Sequence, residues 1–345
     1  MRSPPRAPYL ILGAAALYCA GAASASQSPV SGLSGINLAG LDFGSDVWAN
    51  APSTPHSYSV PPMDQIAHFA SQGVNVIRLP FLWQYMEPQG PGSGLDPTYF
   101  GLYDSYVQNA LSKGVHVIID PHNYGRWDNQ IIGQSSVTNE QFNSLWDEPH
   151  DLDQWPWQTT LQSAVTAIRG LGANTQTILL PGINYTAASA FQSTNWAFLS
   201  DITDPAGGTD LLLFDLHIYF DANSAGVSPN CQTNHISDVL QPVANFLVEK
   251  GRKGFVSELG GGSTGSCEPI LGQALGFIKS NPDAYAGFTV WAAGGFAPSY
   301  ALSLVPNGDQ DQPIWNSAVK PNLYSPNAQK AKRLERHTRT THLKH

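Results

Sequence analysis

Charge is what this chain of 345 residues has least of: 12% of its side chains are Asp, Glu, Lys or Arg, against 42% hydrophobic. With 26 Pro and 32 Gly, such a composition describes a loop-rich folded protein and excludes a middle kept disordered by charge. Positive charge is scarcest in the body of the chain. The formal charge is −9, but residues 330 to 345 carry six Lys/Arg against one Glu, and Arg2 and Arg6 stand at the front. Setting aside those five and two positive charges leaves −16 on the body between. A surface of that sign is repelled by a phosphate backbone, which argues against a nucleic-acid partner and fits a neutral ligand. Cysteine is scarce too, with only Cys19, Cys231 and Cys267. No clear metal-ligand cluster is visible, and no internal repeat or long linker marks a second domain. The length is compatible with one large α/β domain.

The front of the chain, "MRSPPRAPYLILGAAALYCAGAASASQ", joins two arginines to an apolar run from about Tyr9 to Ala23 and an A-x-A site at Ala23-Ser24-Ala25. This pattern predicts a secretory signal peptide over 1–25 and an extracellular protein. A membrane anchor is the alternative, but the run is short for a spanning helix and is closed by small residues. With the signal gone, Cys231 and Cys267 remain and can pair in an oxidising compartment. Asn184-Tyr185-Thr186 is then a glycosylation sequon. The basic end, 323–345, reads as a disordered tail, with an interaction arm as the alternative.

Seven apolar runs recur along the middle: "GINLAGLDF" at 35, "VNVIRLPF" at 74, "VHVIIDPHN" at 115, "TILLPG" at 177, "LLLFDLHIY" at 211, "GFVSELG" at 254 and "GFTVWAAGG" at 287. They are nearly continuous in Val, Ile, Leu and Phe, as expected of parallel strands covered on both faces. Amphipathic stretches such as "MDQIAHFASQG" and "ISDVLQPVANFLVEKG" lie between them and end in Gly, a helix stop signal. The start-to-start gaps are 39, 41, 62, 34, 43 and 33 residues. The gap of 62 is too long for one strand-helix unit and too short for two. One further strand there, arriving at Glu148, would give the eight of a closed (β/α)₈ TIM barrel, so the fold expected over 35–322 is that barrel with its fourth strand missing or disrupted. Residues 26–34 form a short lead.

In such a barrel the chemistry lies where strands end. Those ends carry Arg78, His122 and Asn123, His217 and Tyr219, Glu258, and Trp291. A single polar residue there is more often structural, but five strands delivering them to one rim point to a site. Glu258 closes a buried strand and is followed by three glycines. A carboxylate there needs a partner, and Arg78 can serve either as a plain ion pair or as the group that keeps a nucleophile ionised. Glycoside cleavage with retention requires a second carboxylate, and Glu148 is the leading candidate.

In this order the motifs "GINLAGLDFG", "VNVIRLPFLWQYMEP", "IIDPHNYGRW", "EPHDLD", "FDLHIYFD", "SELGGG" and "WAAGGF" resemble the fungal secreted endo-β-1,4-glucanases of glycoside hydrolase family 5, the cellulase family. The resemblance runs from about Gly35 to Pro321. It implies a retaining glucanase with Glu258 as nucleophile and Glu148 as acid/base. Arg78, His122, His217 and Tyr219 would position the nucleophile and the sugar, and Trp291 would stack beneath the cleaved residue. It also implies a β-glucan substrate, no metal and no other cofactor, and a monomer free of membrane after signal cleavage. Specificity for mannan or xyloglucan, and a barrel that binds sugar without cleaving it, remain as alternatives.

The chain departs from the family pattern at one place. Family members have Asn-Glu-Pro at the end of an apolar fourth strand. Here "NSLW" runs directly into Asp147-Glu148-Pro149, with roughly twenty residues absent before it. In the family that Asn donates to a sugar hydroxyl, which an ionised Asp147 cannot do. The six tryptophans Trp48, Trp83, Trp127, Trp155, Trp157 and Trp196 are candidates either for sugar stacking or for core.

Overall fold

The structure, a computed structural model, describes residues 16–18, 30–50, 57–142 and 150–324, with only the backbone of the first segment. All seven apolar runs form strands: β1 (Leu33–Ala39), β2 (Val76–Phe81), β3 (His116–Pro121), β4 (Thr177–Leu180), β5 (Leu212–Tyr219), β6 (Gly254–Gly260) and β7 (Tyr285–Gly294). Neighbours pair in parallel in the order β3-β2-β1-β7-β6-β5-β4. The principal helices are α1 (Asp64–Ser71), α2 (Pro97–Ser112), α3 (Gln154–Gly170), α4 (Gln241–Glu249) and α5 (Cys267–Ser280), lying between strands as the amphipathic stretches require. Helix α2 starts at Pro97 behind Asp96, whose carboxylate accepts the amides of Thr98 at 3.0 Å and Tyr99 at 2.7 Å.

The place of a fourth strand, between β3 and β4, is taken by a three-residue strand, Ala16–Tyr18, running antiparallel to both. It pairs Leu17 with Ile118 on one side and with Thr177 on the other, closing the barrel. The sequence predicts a gap here and assigns 16–18 to the leader. The parallel fourth strand is absent, as the sequence predicts, and in the full-length chain the two facing strand edges, with unpaired amides and carbonyls, take up an extended apolar segment of the leader that can reach them. β1 begins at Leu33, two residues before the boundary read from sequence. At the other end, Tyr324 still donates its amide to Ser34 Oγ at 2.8 Å. The rest of the tail, 325–345, lies outside the described residues.

Strand periodicity organises the barrel interior. Leu33, Val76, Ile118, Leu179, Leu213, Phe255 and Ala286, one from each parallel strand, form an apolar layer at the end where the strands begin. Two residues further on, the same faces of β2, β3 and β5 present Arg78, Asp120 and Asp215, all buried. The larger core packs helices on the outside of the sheet. It includes Trp83 and Trp157, both fully buried, which settles these two as core.

Candidate active site

Arg78 stands at the centre of the charged layer. Its Nη1 donates to Glu258 Oε1 and, at 3.0 Å, to Asn37 Oδ1, and its Nη2 lies 2.8 Å from Asp120 Oδ2. With 1% of its surface exposed, the guanidinium needs each of these partners. Glu258 Oε2 accepts from Tyr219 OH at 2.9 Å and faces His217 Nδ1 at 3.8 Å. A carboxylate between a buried guanidinium and a phenol donor is favoured in its ionised form.

Glu258 reaches this position through an irregularity. Between Leu216 and His217 of β5, the partners on β6 jump from Val256 to Glu258. Between Phe288 and Val290 of β7, they jump from Val256 to Leu259. β6 thus carries one residue more than both neighbours at Ser257–Glu258, a bulge that re-aims the carboxylate. The displaced Ser257 carbonyl is met by Asn37 Nδ2 at 3.0 Å and Thr289 Oγ1 at 2.6 Å, and its hydroxyl lies 2.8 Å from His217 Nε2. His217 is also 3.7 Å from Asp215, so both ring nitrogens face polar groups.

The three glycines after Glu258 fill close approaches. A Cβ at Gly260 would lie 2.6 Å from the Trp291 carbonyl, at Gly261 2.8 Å from Cys267 Sγ, and at Gly262 2.6 Å from the Pro229 carbonyl. The disulfide Cys231–Cys267, with its Cα atoms 4.7 Å apart, pins the segment after Tyr219 to α5 beside the glycine loop that follows Glu258. It closes 36 residues, for which chain entropy gives about 3–4 kcal/mol. Replacing both cysteines by serine is therefore expected to lower unfolding free energy by about that amount in denaturant titrations, with reductant producing the same loss in the parent protein.

Across the mouth, His122 Nδ1 is 3.2 Å from Asp120 Oδ2, and the His122 ring lies near-parallel to Trp291 at 6.0 Å. Trp291 donates through Nε1 to Tyr300 OH at 3.2 Å. Burial raises the Tyr300 phenol, the Trp291 hydrogen bond opposes the shift, and the charge of Glu258 adds to it. Asp42, in the loop after β1, is pushed up by burial, a shift opposed by His122 and by backbone hydrogen bonds from Gly40. Glu258, Arg78, His217, Tyr219, His122 and Trp291 are thus brought together. Asn123 is not among them: its side chain accepts the Trp83 amide at 2.8 Å and donates to Gln84 at 2.7 Å, fixing the helical turn Trp83–Met86.

Asp147 and Glu148 lie outside the described residues. Their neighbour His150 is buried at the rim, with Nε2 2.7 Å from the Val47 carbonyl and its ring stacked on Tyr185 at 4.4 Å. Trp48 meets the same imidazole edge-on at 5.0 Å. Trp48 and Tyr185 are 41% and 47% exposed, two ring surfaces open to a ligand. Asn184 is exposed beside Tyr185, while the Thr186 hydroxyl is buried and donates to the Gly182 carbonyl. The sequence reading missed Asn37, Asp120, His150, Asp215 and Ser257. Asp120 and Asp215 had a signal, since each stands two residues before a rim histidine and so on the same strand face.

Comparison with known proteins places this geometry. The profile of the family described as Cellulase (glycosyl hydrolase family 5) matches residues 34–148 and 147–294, two stretches that meet at Asp147–Glu148. Endoglucanase 1 of Saitozyma flava is 43% identical over 335 residues, covering 91% of this chain and 96% of its own. The crystal structure of Cel5A (EG2) from Hypocrea jecorina superposes with a TM-score of 0.81 at 34% identity, over 84% of this chain and 98% of the other. XacCel5A, solved in complex with cellopentaose, gives 0.77 at 28% identity, over 85% and 99%. With more than half its length matched by the family profile and close relatives aligned nearly end to end, this chain belongs to the cellulases of glycosyl hydrolase family 5.

Proposed function

We propose that the protein is a secreted endo-β-1,4-glucanase that cleaves internal bonds of cellulose or soluble β-glucan with retention of configuration, working as a monomer outside the cell. The observation that carries the reading is Glu258. It is a buried carboxylate at a strand end, with one oxygen on Arg78 and the other on Tyr219, beside a partly exposed Trp291. In the first step a Glu258 oxygen attacks the anomeric carbon while Glu148 protonates the departing glycosidic oxygen. In the second, Glu148 takes a proton from water, whose oxygen displaces Glu258. Arg78 and Tyr219 hold the nucleophile ionised before attack, and Trp291 offers a flat apolar face to the pyranose ring. Glu148 comes two residues before His150 in sequence, and His150 is anchored at the rim, which supports the assignment. The leader and the Cys231–Cys267 disulfide support secretion.

A second reading, a barrel that binds glucan with impaired turnover, is favoured by one observation: the family pattern breaks at Asp147–Glu148. Assays on carboxymethylcellulose, glucomannan and xyloglucan, beside a Glu258→Gln control, decide. Release of reducing ends fastest from carboxymethylcellulose is the expected outcome. Faster release from glucomannan or xyloglucan would move the assignment to mannan or xyloglucan, and glucan binding without turnover would favour the second reading.

A further inference from the structure

Among the buried carboxylates near the site that the mechanism above does not use is Asp221. Asp221, two residues beyond Tyr219, is 4% exposed and spends both oxygens on the backbone of its own loop. Oδ1 accepts the amides of Ala225 at 2.9 Å and Gly226 at 3.1 Å, and Oδ2 those of Val227 at 3.0 Å and Ser228 at 3.1 Å. Four donors on one carboxylate fix the path of residues 225–228. That path brings Gly226, at φ +67°, against the Tyr219 ring: a Cβ there would lie 2.6 Å from Cε1, 2.7 Å from Cδ1 and 2.8 Å from Cζ. The same loop continues to Pro229, whose carbonyl accepts the Gly262 amide at 3.2 Å and Thr264 Oγ1 at 3.1 Å, and then to the Cys231 disulfide. It is therefore held on both sides of the strand end that carries Glu258.

We infer that Asp221 is a positioning residue for the nucleophile: it shapes the loop that seats Gly226 on the Tyr219 ring, and the seated ring aims its hydroxyl at Glu258. The inference rests on the reading of Glu258 as nucleophile. Burial raises the Asp221 carboxyl, but the four amides outweigh it and hold the group below the usual carboxylate range. The charged form that organises the loop thus persists at acid pH and is lost only as pH falls below that range. The titratable groups facing this loop are Tyr219 and Glu258 on the barrel side and His235, 3.2 Å from Ser224 Oγ and paired with Asp238 at 2.7 Å, on the outer side.

The test uses the full-length protein and an activated 2-deoxy-2-fluoro-β-cellobioside with a dinitrophenyl leaving group, which traps a nucleophile without help from an acid. Mass spectrometry of the trapped protein examines the underlying reading by itself: a label on any residue other than Glu258 defeats that reading, and the inference with it. With Glu258 labelled, Gly226→Ala and Asp221→Asn are each expected to slow trapping about tenfold and to move the acid limb of the trapping rate upward, because Glu258 loses the phenol that favours its ionised form. Tyr219→Phe should do the same, and Gly226→Ala added to Tyr219→Phe should cost nothing more. Wild-type trapping rates and acid limb in both single variants, or losses that multiply in the double variant, would overturn the inference. If Gly226→Ala fails to fold, Asp221→Asn with and without Tyr219→Phe gives the same decision.

Discussion

Replacing Glu258 by glutamine is expected to cut turnover of β-1,4-glucan by about a thousandfold or more while leaving the thermal midpoint nearly unchanged. The amide keeps the size and one acceptor oxygen for Arg78, and its NH2 can donate to the Tyr219 hydroxyl oxygen, so packing at the strand end survives, but it cannot form the covalent bond to the anomeric carbon. Stability moves little because two effects oppose each other. Arg78 loses a charged partner, yet Asp120 at 2.8 Å and Asn37 at 3.0 Å still occupy the guanidinium. A carboxylate is also no longer taken out of water. Steady-state kinetics and a melting curve on the same preparation check both halves. Turnover within tenfold of the parent protein would remove Glu258 from the chemistry.

The second large effect is expected at Glu148, and its pattern separates the two carboxylates. Glu148→Ala should lower turnover of the polymer by about a hundred- to ten-thousandfold, because the leaving sugar oxygen then departs without a proton. On a dinitrophenyl cellobioside, whose leaving group needs no proton, the first step should continue at nearly the parent rate and the glycosyl-enzyme should accumulate. Added azide should then restore turnover and yield the β-glycosyl azide, since a small anion needs no base to attack. Equal losses on the polymer and on the activated substrate, with no response to azide, would sink the acid/base assignment. The comparison holds whatever the absolute rate of the parent protein, which matters for a chain whose family pattern breaks at this residue.

What could be read from sequence follows from what each feature requires of its residues. A parallel strand covered on both faces must be apolar throughout, and so all seven lie close to the runs that announced them. Glu258, Arg78, His217 and Tyr219 were legible because a charged or polar group at the end of such a run has few reasons to be there. The bulge at Ser257 was not, because an extra residue in a ladder is defined by the neighbours' count and leaves no mark on "GFVSELG" itself. What Asn123 does at its strand end was not legible either, because the use of its amide to hold Trp83 and Gln84 depends on how the following turn folds. Asp221 follows a run of strand residues and looks like an ordinary turn aspartate. Its four amide partners come from residues whose identity matters little, so composition cannot signal them.

Ala16–Tyr18 lies in the stretch read as a cleaved leader, so secretion would remove the antiparallel seam and leave the facing edges of β3 and β4 without it. Neither those three residues nor a bare edge can match the ladder that a full parallel strand would supply, so the amides of Val117 and Thr177, which point away from β2 and β5 into the seam, should exchange with deuterium well before those of β6 and β7. The half that opens late holds Glu258 and Trp291. The half that opens early holds His122. In kinetic terms Glu258 is mounted on the slow side of the molecule and His122 on the fast side.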